Sequence, residues 1–402
     1  MQTAHKTDEE KKEHFDSDEV LDQKVTQLAE WIKESKHFIA FTGAGISTSS
    51  GIPDYRSGVN TVLPTGPGAW EKAATGDKSK AKFRKTIASA LPSPCHMALV
   101  KLMERGHLKY IISQNVDGLH RKSGIPAENI AEVHGNTNIE ICKNKTCKRQ
   151  YLRDFRVRNA QKVHDHKTGR MCESCGKELY DTIINFGENL PEKELDDGFE
   201  HGAKADLCLA LGSSLRVTPA ADMPAETANN GGRLVIVNLQ STPLDKKAFR
   251  INGLIDDVMA RLMAKLDLTI PKFELKRRVA ITKSDVDPKR PTQKGKVALM
   301  VRGVDEKGDP YTLFKSVQTT FSSVKEVINQ GTEPVRVTPV NASLDKGNVK
   351  VQMTFQGHYG EPDLSIDVNL ESLKLNVPVY YQMNFDPIEK KWVDVKQIVI
   401  KK

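Results

Sequence analysis

The stretch Phe38-Ile-Ala-Phe41-Thr-Gly43-Ala-Gly45-Ile-Ser-Thr48 decides how this chain folds. A short apolar run opens directly into a glycine-rich turn, which reads as a buried strand followed by a tight loop. Glycines let the backbone approach a pyrophosphate, and the N-terminus of a following helix offers free N–H groups to it. The usual fingerprint has a third glycine, and Thr48 stands in its place. Taken by itself, the stretch is open to two readings: a phosphate cradle or a plain strand-to-helix turn.

Working outward, Leu21, Val25, Leu28 and Ile32 recur at helical spacing and predict an amphipathic helix from about Asp18 to Lys36. Tyr110-Ile-Ile-Ser113, Leu207-Cys-Leu-Ala-Leu211 and Leu234-Val-Ile-Val237 read as further buried strands, with helical patterns between them. That alternation predicts an α/β domain with a Rossmann-like parallel sheet and helices on both faces. A last helix, with Ile255, Val258, Leu262 and Leu266 on one face, closes the domain near Pro271. The expected layout is a disordered segment over 1–17, the α/β domain over 18–271, a basic linker over 272–295 and an all-β, sandwich-like domain over 296–402. The linker reading rests on Lys276-Arg277-Arg278 through Lys289-Arg290-Pro291, and a nuclear-import or nucleic-acid patch is its alternative. The β reading rests on alternation in Val297-Leu299-Val301, Val335-Val337, Val349-Val351-Met353-Phe355, Val377-Val379-Tyr381 and Val393-Val395.

The chain has 402 residues and a formal net charge of +8. From Lys276 onward it carries 21 Lys and Arg against 15 Asp and Glu, so most of the excess lies there. Such an excess permits contact with nucleic acid or an acidic partner without establishing it. No run of about 18 apolar residues predicts a membrane span, and the polar first residues predict no secretory or mitochondrial signal. A reduced compartment is therefore expected, and with it metal rather than disulfides for the paired cysteines. Cys142 and Cys147 face Cys172 and Cys175 across 24 residues. Four thiolates fill a tetrahedral zinc and leave no open position, which predicts one structural zinc in a module over about 138–182. Cys95 and Cys208 read as core residues.

Further motifs follow in order: Gly51-Ile-Pro-Asp-Tyr55-Arg56, Gln114-Asn115-Val-Asp117-Gly-Leu-His120, His134-Gly135, Asn185-Phe186-Gly187-Glu188, Gly212-Ser213-Ser214-Leu215-Arg-Val217 and Val237-Asn238-Leu239-Gln240. With the zinc pairs between the His-Gly and Phe-Gly-Glu elements, the series resembles the sirtuins, NAD-dependent protein deacylases. Trp70 after Pro-Asp-Tyr-Arg, Ser93-Pro-Cys-His96 and Arg250-Ile-Asn-Gly253 are similar to the nuclear class IV sirtuins. The resemblance covers about Asp18 to Pro271, and the C-terminal β region has no counterpart in it.

The resemblance implies roles. Gly43, Ala44, Gly45 and Thr48 would line the pyrophosphate and ribose, and Tyr55, Arg56 and Trp70 would close over the nicotinamide side. Asn115 and Asp117 would hold the carboxamide, and Gln114 the nicotinamide ribose. Gly212, Ser213, Ser214, Asn238, Leu239, Gln240 and Ile255 would hold the adenosine half. His134 would act as general base, and its ordinary pKa near 6.5 suits that work at neutral pH. His120 reads as structural. An acyl-lysine peptide would add as a strand between Phe186-Gly187-Glu188 and Leu215–Val217, with Ile184 and Phe186 walling the acyl tunnel. Acyl-lysine proteins, histones first, are the implied partners. Nucleosome or DNA contact through the basic linker is a further expectation, with the nucleus as compartment and the cytoplasm as the alternative. A protein mono-ADP-ribosyltransferase would use the same NAD pocket. A non-catalytic scaffold would use the β domain instead.

Overall fold

The computed structural model describes residues 8–76, 86–159, 162–285, 297–322, 326–330, 333–339 and 344–400. By their contacts they fall into two units. The first takes residues up to 137, 162–166 and 182–273; the second takes 138–159, 167–181 and the chain from 274 onward.

The first unit is built on a six-stranded sheet, all of whose pairs are parallel. Its strands are β1 (Phe38–Thr42), β2 (Leu108–Ser113) and β3 (Ile130–Glu132) before the zinc segment. The zinc segment supplies β4 (Ile139–Cys142), β5 (Gln150–Leu152), β6 (Lys167–Met171) and β7 (Glu178–Asp181). After it come β8 (Leu207–Leu211), β9 (Arg233–Val237) and β10 (Phe249–Ile251). The order β10-β9-β8-β1-β2-β3 reverses direction of growth at β1 and β8, where a crevice opens beyond the carboxyl ends of the strands. All five residues of β1 and of β8 are buried, as continuous apolar runs covered on both faces must be.

The helices are α1 (Asp8–Lys11), α2 (Asp18–Glu34), α3 (Ala69–Thr75), α4 (Pro94–Glu104), α5 (Leu119–Ser123), α6 (Glu192–Lys204), α7 (Asp222–Asn229) and α8 (Ile255–Lys265). Ser17 caps α2 by accepting from the N–H of Val20, and Ser93 caps α4 with Pro94 in the first turn. Leu28, Ile32, Leu99 and Leu262 from α2, α4 and α8 fill one face of the sheet. Met223, Leu195 and Phe199 from α7 and α6 fill the other.

In the second unit, β11 (Leu275–Asp285), β12 (Val297–Gly303), β15 (Val335–Val337), β18 (Val379–Asp386) and β19 (Lys391–Ile398) form one antiparallel sheet. A second antiparallel sheet joins β13 (Phe314–Phe321), β14 (Glu326–Gln330), β16 (Asn348–Phe355) and β17 (Leu364–Asn369). Val279, Ile281, Leu299 and Val301 from the first sheet meet Val317, Phe321, Val349 and Val351 from the second in one core. This is a sandwich, as the alternation predicts.

Two boundaries need correction. The expected linker over 272–295 contains β11, the central strand that pairs with both β12 and β18. Its inward positions read Leu275, Arg277, Val279 and Ile281, and the arginine breaks the apolar pattern. Arg277 is fully buried. Its guanidinium donates to Glu361, and to Asp154 Oδ2 at 2.8 Å, while the Tyr311 hydroxyl donates to Asp154 Oδ1. Arg277 therefore belongs to no exposed basic patch. Residues 286–296, with Lys289 and Arg290, lie outside the described residues. The second correction concerns the N-terminus. Residues 8–17 are not free chain but are tied down by hydrogen bonds, such as His14 N–H to Leu239 O at 2.9 Å.

Asp154 follows β5, so the zinc segment and the sandwich share this buried ion cluster. Arg153 to Thr312 and Arg149 to Asp309 add to the contact. Removing one partner of a buried charge cluster typically costs about 3–5 kcal/mol. Asp154→Ala is accordingly expected to destabilise the second unit by about 3 kcal/mol. The check is amide hydrogen exchange along β11, which accelerates in the variant; wild-type protection there would contradict the assignment.

Candidate active site

The carboxyl ends of β1, β2, β8 and β9 open into a cleft of about 770 Å³. Gly43 and Gly45 follow β1, and Gly212 follows β8. A Cβ on Gly43 would come within 2.6 Å of Gly212 O, and one on Gly45 within 2.7 Å of Gly212 Cα. Gly212 itself has φ +61°, a left-handed conformation that favours glycine. The glycines are thus required by one loop packing on another, besides whatever ligand approaches them. Ala44 begins a 3-10 turn, and the Thr48 hydroxyl donates to Gly45 O at 2.9 Å.

Beyond β2, Gln114 Oε1 accepts from the Ser213 hydroxyl at 2.7 Å. Asn115 Nδ2 donates to Gly43 O at 3.0 Å, which ties its amide nitrogen inward. Asp117 is buried behind this wall and does not line the cleft. Its carboxylate accepts from the Ser47 hydroxyl at 2.7 Å and from the Leu119 N–H at 2.9 Å. It holds the turn that carries Asn115 and shapes that turn from within.

His134 follows β3 and lines the cleft. Its Nδ1 lies 3.0 Å from Gln114 O, and only a protonated Nδ1 can bond a carbonyl. That bond fixes the tautomer and leaves Nε2 as the basic nitrogen. Burial lowers the His134 pKa below its ordinary 6.5, outweighing the Gln114 carbonyl, so the ring is neutral at pH 7. Gly135 has φ +82°, and a Cβ there would overlap Thr182 O. His120 is buried with Nε2 2.8 Å from the Thr42 hydroxyl, and burial and His96 drive its pKa down to about 3. It serves the structure, as expected.

Over the cleft, the Tyr55 and Trp70 rings are 4.8 Å apart, and Phe186 is 5.8 Å from Trp70. Arg56 lies over Trp70 at 4.5 Å. Burial and the neighbouring Arg216 lower the Arg56 pKa to about 10, still charged at neutral pH. Phe186 is 67% exposed, which is unusual for a large apolar ring and suits a surface that receives a ligand. Ile184, Gly187 and Glu188 also line the cleft. Glu188 accepts from the Asn185 N–H at 2.7 Å and sits 2.7 Å from His164 and 2.9 Å from His166. Burial opposes its ionisation, but these donors outweigh it and hold the carboxyl far below the usual range.

Ser214, Val217, Asn238, Leu239, Gln240 and Ile255 line the remaining wall. Leu215 does not. Its side chain is in the core with φ +51°, because Ser213 Oγ takes its N–H and turns the chain inward. Of the two residues expected on this side of the peptide, Leu215 therefore turns into the core and Val217 lines the cleft. Sequence reasoning placed Arg250 in a motif but gave it no role; its guanidinium donates to the carbonyls of both Asn238 and Gln240. It also gave no role to Ser47, which stands inside the Gly43–Thr48 stretch, or to Glu13 and Asp256, which carry no motif signal.

The four thiols form the expected cluster, with all Sγ atoms within 4.8 Å of one another. Cys142 and Cys175 are 3.4 Å apart, and Cys147 and Cys172 are 3.6 Å apart. Tetrahedral zinc with Zn–S of about 2.3 Å needs S···S edges of about 3.8 Å, so the set fits that ion. The Tyr151 hydroxyl, 3.2 Å from Cys172 Sγ, favours the thiolate a metal requires. Purified protein is expected to carry one zinc per chain. Cys172→Ser should lose it, and exchange protection of β4–β7 should fall while β1 and β8 stay protected. Unchanged protection of β4–β7 without metal would contradict a structural zinc.

The Sir2 family profile matches residues 43–219. NAD-dependent protein deacetylase SRT1 of Oryza sativa subsp. indica is 46% identical over 265 residues, which is 65% of this chain and 52% of the relative. NAD-dependent protein deacetylase Sirt6 of Drosophila melanogaster is 41% identical over 271 residues, 65% of this chain and 81% of the relative. NAD-dependent protein deacetylase sirtuin-7 of Homo sapiens is 39% identical over 267 residues, 64% of each chain. The chain thus spans about half the length of the rice relative and most of the fly one. It belongs to the Sir2, or sirtuin, family.

Proposed function

We propose that this chain is an NAD-dependent protein-lysine deacylase. One observation carries the reading: a neutral imidazole, locked by Gln114 O with Nε2 left basic, shares a glycine-walled cleft with the anchored amide of Asn115. When bound, NAD supplies a ribose carbon whose bond to nicotinamide breaks as the acyl-lysine carbonyl oxygen attacks it; with one water, the products are free lysine, nicotinamide and O-acyl-ADP-ribose.

The chain's own residues do the rest. Asn115 has its nitrogen committed to Gly43 O, so its carbonyl oxygen is the group offered to the carboxamide N–H. Asp117 and Ser47 hold that orientation. Gln114 has its oxygen taken by Ser213, so its amide N–H groups serve the nicotinamide ribose. His134 Nε2 accepts the proton of a ribose hydroxyl. Tyr55 and Trp70 exclude water from the reacting carbon. Arg250 holds the Asn238 and Gln240 carbonyls in place for the adenosine half. A peptide backbone pairs along 186–188, which gives affinity with little reading of sequence. The class IV pattern of the motifs supports nuclear acyl-lysine proteins, histones among them, as substrates and the nucleus as compartment.

The test is mass spectrometry of reactions with NAD and acetyl, myristoyl and other acyl histone peptides. Nicotinamide and O-acyl-ADP-ribose are expected in equal amounts. ADP-ribose retained on protein instead would favour the mono-ADP-ribosyltransferase reading. His134→Ala should lower turnover roughly a hundredfold to ten-thousandfold. The pH profile has a definite sign. A base whose pKa is lowered stays unprotonated further into acid, so kcat/KM should hold between about pH 8 and about pH 6.5 and fall only below that. A fall already complete by about pH 7 would contradict the role of His134.

A further inference from the structure

Residues 10–16 have no apolar periodicity, yet they cross from one wall of the cleft to the other. At one end, the Asp16 N–H donates to Asn252 O, and the Asp16 carboxylate accepts from the Asn252 N–H and from Lys24, both at 2.8 Å. The His14 N–H donates to Leu239 O, and Gln240 Nε2 donates to Lys11 O. These contacts fasten the segment beside Leu239 and Gln240, on the side assigned to adenosine. At the other end, Glu13 lines the cleft and accepts from the Thr61 hydroxyl at 2.6 Å and the Val62 N–H at 3.1 Å. Lys11 Nζ meets Glu71 at 2.9 Å, and the Glu71 side chain is buried next to Trp70. Glu10 pairs with Arg216 at 3.1 Å.

Thr61, Val62 and Glu71 belong to the long excursion that carries Tyr55, Arg56 and Trp70. Among the described residues its one helix is the seven-residue α3. Its remaining order comes from local hydrogen bonds, such as Trp70 N–H to Tyr55 O and Gly68 N–H to Ser57 O. An excursion of that kind needs an external tie to stay over the cleft. Glu13 is poorly suited to touch a pyrophosphate, since like charges repel, and its two oxygens already serve Thr61 and Val62.

We propose that residues 10–16 form a strap that holds the Tyr55–Trp70 excursion over the dinucleotide, with Lys11 and Glu13 as positioning residues that set dinucleotide affinity. This rests on the reading of the cleft as an NAD site. The strap ties the excursion to the adenosine wall, so its loss acts on cofactor binding. At saturating NAD the bound dinucleotide itself holds the excursion closed, so water exclusion by Tyr55 and Trp70 and proton transfer at His134 are regained, and a peptide pairing along 186–188 does not touch residues 10–16.

The experiment measures binding of NAD and of ADP-ribose to the full chain by calorimetry, with steady-state kinetics alongside. Lys11→Met is expected to raise KM for NAD and weaken ADP-ribose binding about fivefold or more, with kcat at saturating NAD and KM for peptide within about twofold. Glu13→Ala should weaken ADP-ribose binding in the same direction. The charge exchange Lys11→Glu with Glu71→Lys should recover most of the affinity lost in either single variant. Hydrogen exchange of the wild-type chain gives a second, mutation-free reading: NAD should slow exchange at the Val62 and His14 amides. Wild-type protein that binds both ligands, with single variants that bind them equally well, overturns the strap alone. Val62 and His14 amides that ignore bound NAD overturn it as well. Wild-type protein that binds neither ligand overturns the reading of the cleft and the strap with it.

Discussion

The structure of the first unit depends on one close approach. The loop after β1 and the loop after β8 meet backbone to backbone at Gly43, Gly45 and Gly212, at distances that exclude any side chain. Because β1 and β8 are central neighbours in the sheet, that contact brings together the two halves of the crevice. Asn115 is anchored to Gly43 O, and Ser213, next to Gly212, is anchored to Gln114. Gln114 O in turn fixes the tautomer of His134. A chain of hydrogen bonds therefore runs from the glycine contact to the basic nitrogen, and each link sets the geometry of the next.

The same logic separates residues that line the cleft from those that hold others in place. Asp117 and Arg250 contribute through the groups they orient. Polar groups taken largely out of water are costly to leave unpaired, and here both have partners. In the second unit, Arg277 plays the corresponding structural part. It draws Asp154 of the zinc segment and Glu361 of the sandwich into one buried cluster. The zinc segment is interrupted in sequence by elements of the first unit, yet its contacts group it with the sandwich.

The parallel sheet was legible because strands covered on both faces are short continuous apolar runs, as at Phe38–Phe41 and Leu207–Leu211. The zinc cluster was legible because cysteine spacing is itself the ligand geometry. What was missed has a common cause. At β11 an inward arginine hides the alternation, and its partners lie 123 and 84 residues away in the chain. The segment over 8–17 is held by hydrogen bonds to side chains and loop carbonyls, which leave no periodic trace. Leu215 turns inward because of a positive φ that its motif does not announce. For β11 and the 8–17 segment the deciding partner is remote in sequence, and for Leu215 it is Ser213 Oγ two residues back, a hydrogen bond that leaves no apolar pattern to read.

The central claim is that the acyl oxygen of lysine attacks the ribose carbon of NAD within this cleft. It is tested most directly with a peptide whose acyl carbonyl carries heavy oxygen, by mass spectrometry of the sugar product. The account predicts that the heavy oxygen appears on the ribose carbon of O-acyl-ADP-ribose that nicotinamide has left. Heavy oxygen retained only in the acyl group, with ribose oxygen drawn from water, would contradict it.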